Sequence, residues 1–278
     1  MFVARSNGRM HRVVMGLALV MPIAFAIGTV QAAEVRQAQV PAPQDVEYPG
    51  TITLKVDASD TRQGIFRVHE TIPVEAGKSI YLLYPKWIPG HHRPSGPIKQ
   101  MAGLVIHGND GKRIEWTRDP YNVYAFKVDV PEGVTRLDVE FQFLSPQDRS
   151  QGRVVMTPEM LNLQWNAVSL YPAGHYARQI NVQPSVKLPE GWKFGTALEV
   201  ASQSGNSVTF KPIDYDDLVD SPIFAGKYFK RVDLDPGAKA PVHLNIVADS
   251  ADELEITPEQ LKIHRNLVQQ MYKLYGAH

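Results

Sequence analysis

The sequence contains no cysteine in 278 residues. This absence excludes disulfide bonds, thiol nucleophiles and every metal site built on cysteine. A metal site in this chain would have to use His, Asp or Glu side chains. A chain of this length can bury a core of ordinary size, so its stability does not depend on disulfides.

The usual catalytic signatures are also missing. No two of the nine histidines have the His-Glu-x-x-His spacing that directs two imidazoles from one helix face to a zinc ion. The chain has no Gly-x-Ser-x-Gly elbow, no phosphate-binding loop, no dinucleotide fingerprint and no calcium loop. Sequence motifs therefore identify no catalytic residue.

An excess of positive charge is absent as well. The 29 basic residues are balanced by 29 acidic ones. Nucleic-acid-binding domains carry a basic patch or a clear basic excess, so this balance argues against nucleic acid as a partner.

The first 32 residues have the pattern of a signal peptide. Three arginines precede an apolar run from Val13 to Ile27, and Val30-Gln31-Ala32 is a small-residue cleavage pattern. The alternative is an uncleaved membrane anchor, but the run is short and contains Pro22. We expect a secreted or periplasmic protein without a stable membrane anchor. Cleavage would remove three arginines and no acidic residue, leaving a formal charge of −3.

Residues 33–49 are polar and rich in proline, which is typical of a linker. From residue 50 to residue 252 the apolar side chains alternate with polar ones, the period of half-buried strands. Four such sets are clear: Ile52, Leu54 and Val56; Phe66, Val68 and Ile72; Tyr124, Phe126, Val128 and Val130; Leu137, Val139, Phe141 and Phe143.

Turn residues separate these strands. Asp110-Gly111 stands where a tight hairpin needs a positive φ, and Val130–Arg136 contains a Pro-Glu-Gly turn. Four later strands are predicted at residues 178–182, 208–210, 224–232 and 242–247. The fold class that follows is all-β, a large antiparallel sheet or sandwich.

The final segment, residues 257–276, predicts one amphipathic helix. Thr257 is a candidate N-cap, Pro258 fits the first helical position, Gln260 completes a capping box and Gly276 stands at the C-cap. One face carries the apolar residues together with one histidine: Leu261, His264, Leu267, Val268, Met271, Leu274 and Tyr275. Such a helix either folds back onto the β domain or begins a further domain.

The loop Tyr84–Gln100 concentrates the candidate site residues, which are Trp87, His91, His92 and Arg93. Adjacent residues of an extended segment point to opposite sides, so His91 and His92 can share one metal ion only through a special turn, which Gly90 could supply. The alternative is a rigid turn with two partly exposed histidines.

A second candidate is the acidic cluster of Asp214, Asp216, Asp217 and Asp220. Four carboxylates could hold a hard cation, but they lack the spacing of a calcium loop. A solvated turn is the simpler interpretation.

Three ordered stretches resemble the amino-terminal region of the secreted glycyl aminopeptidases, zinc metallopeptidases with a thermolysin-like catalytic domain and an appended PDZ domain. The stretches are LYPKWIPG (Leu83–Gly90), LPEGWKFGTAL (Leu188–Leu198) and YDDLVDSPIFAGKYF (Tyr215–Phe229). The resemblance implies that residues 50–252 form a non-catalytic β domain and that the helix at 257–276 begins a zinc domain.

The resemblance supplies no metal ligand and no catalytic residue in this chain, since the zinc motif of the family lies beyond the matching region. It implies that Trp87, His91, His92 and Arg93 line a cleft shared with the zinc domain. It also implies no cofactor in this chain, a missing catalytic domain or partner chain, and a peptide substrate by analogy.

Three hypotheses follow. The first is the β domain of a truncated or split metallopeptidase that has no activity alone. The second is a self-standing periplasmic module that binds a peptide or a protein. The third is a metal-dependent hydrolase that uses His91, His92 and the acidic cluster.

Overall fold

The computed structural model describes residues 40–88, 90 and 92–276. The predicted signal peptide, residues 33–39 of the predicted linker and His91 lie outside the described residues. Within the described part of the chain, no helix has the length and apolarity needed to cross a membrane.

Eighteen strands lie within the described residues. They are β1 (Thr51–Asp57), β2 (Ile65–Pro73), β3 (Ser79–Leu83), β4 (Met101–Gly108), β5 (Arg113–Ile114), β6 (Trp116–Arg118), β7 (Ala125–Asp129), β8 (Arg136–Leu144), β9 (Met160–Leu163), β10 (Tyr171–Pro172), β11 (Asn181–Lys187), β12 (Lys193–Gly195), β13 (Val200–Ser204), β14 (Ser207–Phe210), β15 (Ile213–Asp214), β16 (Ile223–Gly226), β17 (Tyr228–Asp233) and β18 (His243–Ala248).

Helices are few in the same residues. The α-helices are α1 (Tyr215–Val219) and α2 (Pro258–Tyr275). Short 3₁₀ helices occupy Thr61–Gln63, Ile98–Gln100, Trp165–Ala167, Ala177–Gln179 and Asp252–Leu254.

The strands form four sheets. The largest has the order β13-β14-β11-β1-β2-β8-β4-β5, with β15 also paired to β11. The others have the orders β10-β3-β7-β6, β12-β16-β9 and β17-β18. The predicted fold class, all-β with one C-terminal helix, is confirmed.

One pairing in the large sheet is parallel. β1 runs parallel to β11 over seven residue pairs, from Thr51 opposite Asn181 to Asp57 opposite Lys187. The alternating pattern of each strand shows which face is buried, but it carries no information about the direction of the neighbouring strand.

One continuous hydrophobic core joins the large sheet to the four-stranded sheet. The inward faces of β1 and β8 contribute buried side chains such as Leu54 and Val139, and the four-stranded sheet contributes Leu82, Phe126 and Val128. The four alternating sets predicted from the sequence lie almost entirely in this core, because period two places every second side chain on one face.

Two strand predictions need correction. The strand predicted at 224–232 is two strands, β16 and β17, which belong to different sheets. The chain changes partner at Lys227, whose backbone N donates to Glu159 O at 2.9 Å. The strand predicted at 178–182 begins as the 3₁₀ turn Ala177–Gln179, and only its last two residues lie in β11.

The turn and cap predictions are confirmed. Gly111 has φ +75° in the hairpin between β4 and β5, a conformation that glycine adopts without strain. The Thr257 side chain accepts from Gln260 N at 3.2 Å, and Gln260 Oε1 accepts from Thr257 N at 2.9 Å. Gly276 ends α2 at φ +72°.

The described end of the predicted linker packs on the domain. Gln44 N donates to Gly174 O at 3.1 Å and Tyr48 N donates to Gln179 O at 2.8 Å. The Tyr48 side chain is buried in the core. Residues 44–48 are therefore held against the loop that precedes β11.

Candidate functional site

The loop with the predicted site residues leaves the four-stranded sheet after β3 and is closed at its base. Gly96 N donates to Lys86 O at 3.1 Å, and the Tyr124 hydroxyl donates to Gly96 O at 3.3 Å. A Cβ at position 96 would overlap the carbonyl oxygen of Pro85, so this close approach requires glycine.

The predicted site residues lie on the outer part of this loop. The Trp87 side chain is 61% exposed, and His92 and Arg93 are exposed. None of these three lines the cavity described next, and His91 lies outside the described residues.

The base of the loop forms one wall of a cavity of about 430 Å³, here called the loop cavity. The segment Asn162–Val168, Phe66 of β2 and Phe143 of β8 also line this cavity. The remaining lining residues come from the loop itself, from Tyr124 and from residues 146–155. The volume is typical of small-molecule sites, about 300–1,000 Å³.

Three of the residues that line this cavity, Gln100, Asn162 and Asn166, carry amide atoms that are buried and unpaired. Among the described residues, Gln100 Oε1, both side-chain amide atoms of Asn162, and Asn166 Nδ2 are buried without a hydrogen-bond partner in the protein. Asn166 is only 3% exposed. A buried polar group left unpaired costs about 1–3 kcal/mol, so these amide atoms lower the stability of the fold beside the cavity.

Sequence reasoning missed these residues. In Leu161–Ala167 the polar residues Asn162, Gln164 and Asn166 alternate with apolar ones. This pattern is that of a strand with its polar face in water. Only the fold shows that the polar face borders a cavity.

Buried polar groups hold the segment Asn162–Val168 and the residues that follow it. Leu170 N donates to both carboxyl oxygens of Glu70, at 3.0 and 3.1 Å. The Tyr84 hydroxyl donates to Ala167 O at 2.9 Å, and Trp165 Nε1 donates to Ser221 O at 3.0 Å. These bonds fix the backbone on both sides of Asn166.

Burial shifts the pKa values of two ionisable groups near this segment, Glu70 and Tyr215. Burial raises the pKa of the Glu70 carboxyl well above its usual value, and the hydrogen bond from Leu170 N opposes the rise only in part. Burial likewise raises the pKa of Tyr215, whose hydroxyl lies 2.7 Å from Ser169 Oγ.

One member of the acidic cluster, Asp214, caps helix α1. The Asp214 carboxylate accepts from Asp217 N at 2.9 Å as the N-cap of α1. The charge of Asp214 is the main cause of a raised pKa at Asp217. Tyr215 and Leu218 of α1 are buried, so this segment is an anchored helical turn.

The described residues provide no group of three or more His, Asp or Glu side chains that could hold a metal ion. The zinc that the resemblance implies for the whole enzyme therefore finds no fitting ligand set in the described part of the chain.

Helix α2 buries little of its apolar surface. Val268 is buried, and Leu261 and His264 are half-buried on the same face. The helix contacts the end of β17 and the loop that follows it through polar groups: Arg265 Nη2 donates to Asp233 O at 3.4 Å, and Tyr272 Oη donates to Asp235 Oδ2 at 2.9 Å.

A second row of apolar side chains on α2 faces away from the domain. It consists of Ile263, Leu267, Met271 and Leu274, which are 66%, 58%, 42% and 71% exposed, and we call it the α2 ridge. Spacings of three and four place these side chains in one row. The predicted apolar face is therefore divided, with Leu267, Met271 and Leu274 in solvent.

A solved structure shares the fold, and a second is more distantly similar. The chain is 17% identical to an aminopeptidase N family protein from Idiomarina loihiensis, with a TM-score of 0.60 over 71% of this chain and 32% of that one. An M1 zinc metallopeptidase from Deinococcus radiodurans, solved with a Tyr-Ser-Ala substrate, is 14% identical with a TM-score of 0.43, over 80% of this chain and 52% of that one. The chain thus spans about a third and about half of the lengths of these two proteins. No curated protein matches it significantly.

A family model settles the family. The model of the peptidase M61 N-terminal domain matches residues 53–227, which is more than half of the chain and extends from β1 to the end of β16. The matched region contains nearly all of the large sheet, the residues that line the loop cavity and the acidic cluster. The chain belongs to the family of the peptidase M61 N-terminal domain.

Proposed function

We propose that this chain is the non-catalytic β domain of a secreted zinc aminopeptidase of the glycyl aminopeptidase type, and that it acts only together with a zinc-bearing catalytic domain. That domain is supplied by a longer form of the chain or by a partner chain. Membership of the peptidase M61 N-terminal family supports this proposal, as do the three ordered stretches that resemble glycyl aminopeptidases.

The observation that carries the proposal is the α2 ridge. Complete burial of a Leu, Ile or Met side chain stabilises by about 1.5–3 kcal/mol, and four such side chains stand in one exposed row. A contiguous apolar row of this kind marks an interaction surface. In our proposal α2 is the first helix of the catalytic unit, and the ridge packs against the remainder of that unit.

The proposed organisation follows the sequence. Residues 1–32 direct export and are removed, residues 33–49 connect the cleavage site to the domain, residues 50–252 form the β domain, and residues 257–276 form the docking helix. Peptides are the proposed substrates of the assembled enzyme, and Trp87, His91, His92 and Arg93 are proposed to border its cleft.

The test is to isolate the native protein from the periplasm through an affinity tag. The expected complex contains zinc and hydrolyses a glycyl or alanyl chromogenic amide, whereas the purified chain alone does not. The double substitution Leu267→Glu and Leu274→Glu should remove both zinc and activity from the isolated material. Lys262→Glu, at an exposed polar position of the same helix, is the matched control and should retain both.

Recovery of the processed chain alone, monomeric and without zinc, would contradict the proposal. Hydrolysis by the purified chain that His91→Ala abolishes would instead support a metal site in the loop. A self-standing binding module is the second candidate, and the exposure of Trp87 on an anchored loop favours it. That candidate requires the double substitution on α2 to leave partner binding unchanged.

A further inference from the structure

The loop cavity is lined mainly by apolar side chains. More than half of its lining residues are aliphatic, aromatic or proline residues, among them Phe66, Ile98, Phe143 and Leu163. The unpaired amide atoms beside the cavity are buried, so they offer no hydrogen bond to a molecule inside it. A ligand that fills this space therefore gains most of its binding free energy by removing apolar surface from water.

Positive charge lies at the same cavity. Lys99 and Arg153 line it and are exposed, and none of the described residues that line it is acidic. Neither cation has an ion-pair partner among the described residues. Asp148 belongs to the segment that carries Arg153, but it does not line the cavity, and its carboxylate accepts from Ser150 N at 2.8 Å. The charged groups of the lining thus favour an anionic group on the ligand.

The sequence of the loop adds to this charge. Tyr84–Gln100 contains three lysine or arginine residues and no acidic residue, although the whole chain carries equal numbers of basic and acidic residues. A local excess of one sign raises the concentration of oppositely charged solutes near it. The loop therefore attracts anions to the cavity that its base helps to form.

We propose that the loop cavity binds a fatty acid, with the alkyl chain in the apolar interior and the carboxylate at Lys99 and Arg153. A neutral alkane or alcohol uses only the apolar lining, and a small anion such as acetate uses only the two cations. A medium-chain carboxylate uses both. The proposal concerns the β domain alone and stands whether or not a catalytic domain packs on α2.

The test is isothermal titration calorimetry of the purified chain with octanoate, decanoate and decanol at low salt. Affinity should rise about tenfold or more from octanoate to decanoate, because each buried methylene contributes a factor of about four. Decanoate should bind at least about threefold more tightly than decanol, and added salt should reduce this difference, since exposed ion pairs are weak and screened. Equal affinity for octanoate and decanoate, equal affinity for decanoate and decanol, or no binding would overturn the proposal.

A charge-reversed variant locates the carboxylate. Lys99→Glu together with Arg153→Glu should abolish the preference for decanoate and leave the affinity for decanol unchanged. The matched control reverses two exposed lysines outside the cavity, Lys239→Glu with Lys262→Glu, and should keep the preference. An equal loss in both double variants would show that net charge alone attracts the ligand, and it would contradict the assignment.

A further variant fills the apolar interior. Ile98 lines the cavity and is half-buried, so Ile98→Trp reduces the space available to the alkyl chain. We expect the affinities for decanoate and decanol to fall by the same factor, about tenfold or more, because the chain loses buried methylenes. Thermal unfolding identifies whether the variant is folded, and full affinity in a folded Ile98→Trp variant would contradict the proposal.

Discussion

At the scale of single residues, Glu70 shows how burial and hydrogen bonding act together. Its carboxyl is buried and accepts from the backbone N–H of Leu170, two residues after the segment that lines the loop cavity. Burial raises its pKa in the folded state above the ordinary value of 4.5. The unfolded chain therefore loses the proton first as the pH rises.

This difference predicts a pH dependence of stability. The free energy of unfolding should fall as the pH rises above about 4.5, by up to about 1.4 kcal/mol per pH unit, until the folded carboxyl also ionises. Glu70→Gln removes the titration and should gain stability relative to the native chain as the pH rises. Denaturant titrations between pH 4 and pH 8 measure this, and parallel curves for the two proteins would contradict it.

Glu70 also serves as the hydrogen-bond acceptor for Leu170 N–H, and a second substitution tests this role separately. Glu70→Leu removes the acceptor and leaves Leu170 N–H buried without a partner, which costs about 1–3 kcal/mol. We expect this variant to be less stable than Glu70→Gln at every pH. Thermal unfolding of the two variants at one pH provides the comparison.

Gly96 is the residue on which the closed loop depends. Gly96→Ala would push Cβ into the carbonyl of Pro85, a backbone atom that cannot move away cheaply. We expect a loss of about 1–3 kcal/mol, as for an overpacked core position. The control is Gly90→Ala, which has open space around it and loses only the positive-φ preference of about 1 kcal/mol. An equal loss in both variants, measured by chemical unfolding, would contradict the role assigned to Gly96.

At the scale of elements, α2 is formed by its own sequence and is held weakly by the domain. Its capping box and terminal glycine define both ends, whereas Val268 is its only buried residue and lies outside the main core. Most of the stability of a helix in a protein comes from packing of its apolar face, and α2 packs little of that face, so its caps and the contacts with Asp235 matter more than they would in a buried helix.

The helix should therefore respond to its cap separately from the domain. Thr257→Ala removes the capping acceptor and should destabilise α2 by about 0.5–2 kcal/mol. Faster amide hydrogen exchange confined to residues 258–275 would show this, with exchange in β1 and β8 unchanged. A matched loss of protection in the β strands would mean that α2 and the domain unfold as one unit.

At the scale of the whole molecule, one core connects the large sheet with the four-stranded sheet, and the α2 ridge is separate from it. Substitutions in the core and in the α2 ridge should therefore lower the free energy of unfolding by different amounts. Leu54→Ala leaves a cavity at a fully buried position and should cost about 2–5 kcal/mol. Leu267→Ala, at an exposed position, should change stability by less than about 0.5 kcal/mol. Denaturant midpoints of the two purified variants measure the contrast.

Local patterns were sufficient for much of the fold. Alternation places Leu54 and Val139 on buried faces because successive side chains of a strand point to opposite sides. Thr257 and Gly276 mark the ends of α2 because unpaired backbone groups at helix ends require local partners. These are properties of short segments, and a sequence displays them directly.

The pairing partner of each strand and the surroundings of each side chain depend on residues that are distant in the chain. The parallel pairing of β1 with β11, the change of sheet at Lys227, and the position of Asn162 beside the base of the loop all join segments separated by tens of residues. The same holds for the division of the α2 face, since burial of Val268 and exposure of Leu267 depend on where the helix docks. Periodicity specifies which side chains share a face, but only tertiary packing decides whether that face meets the core, a cavity or water.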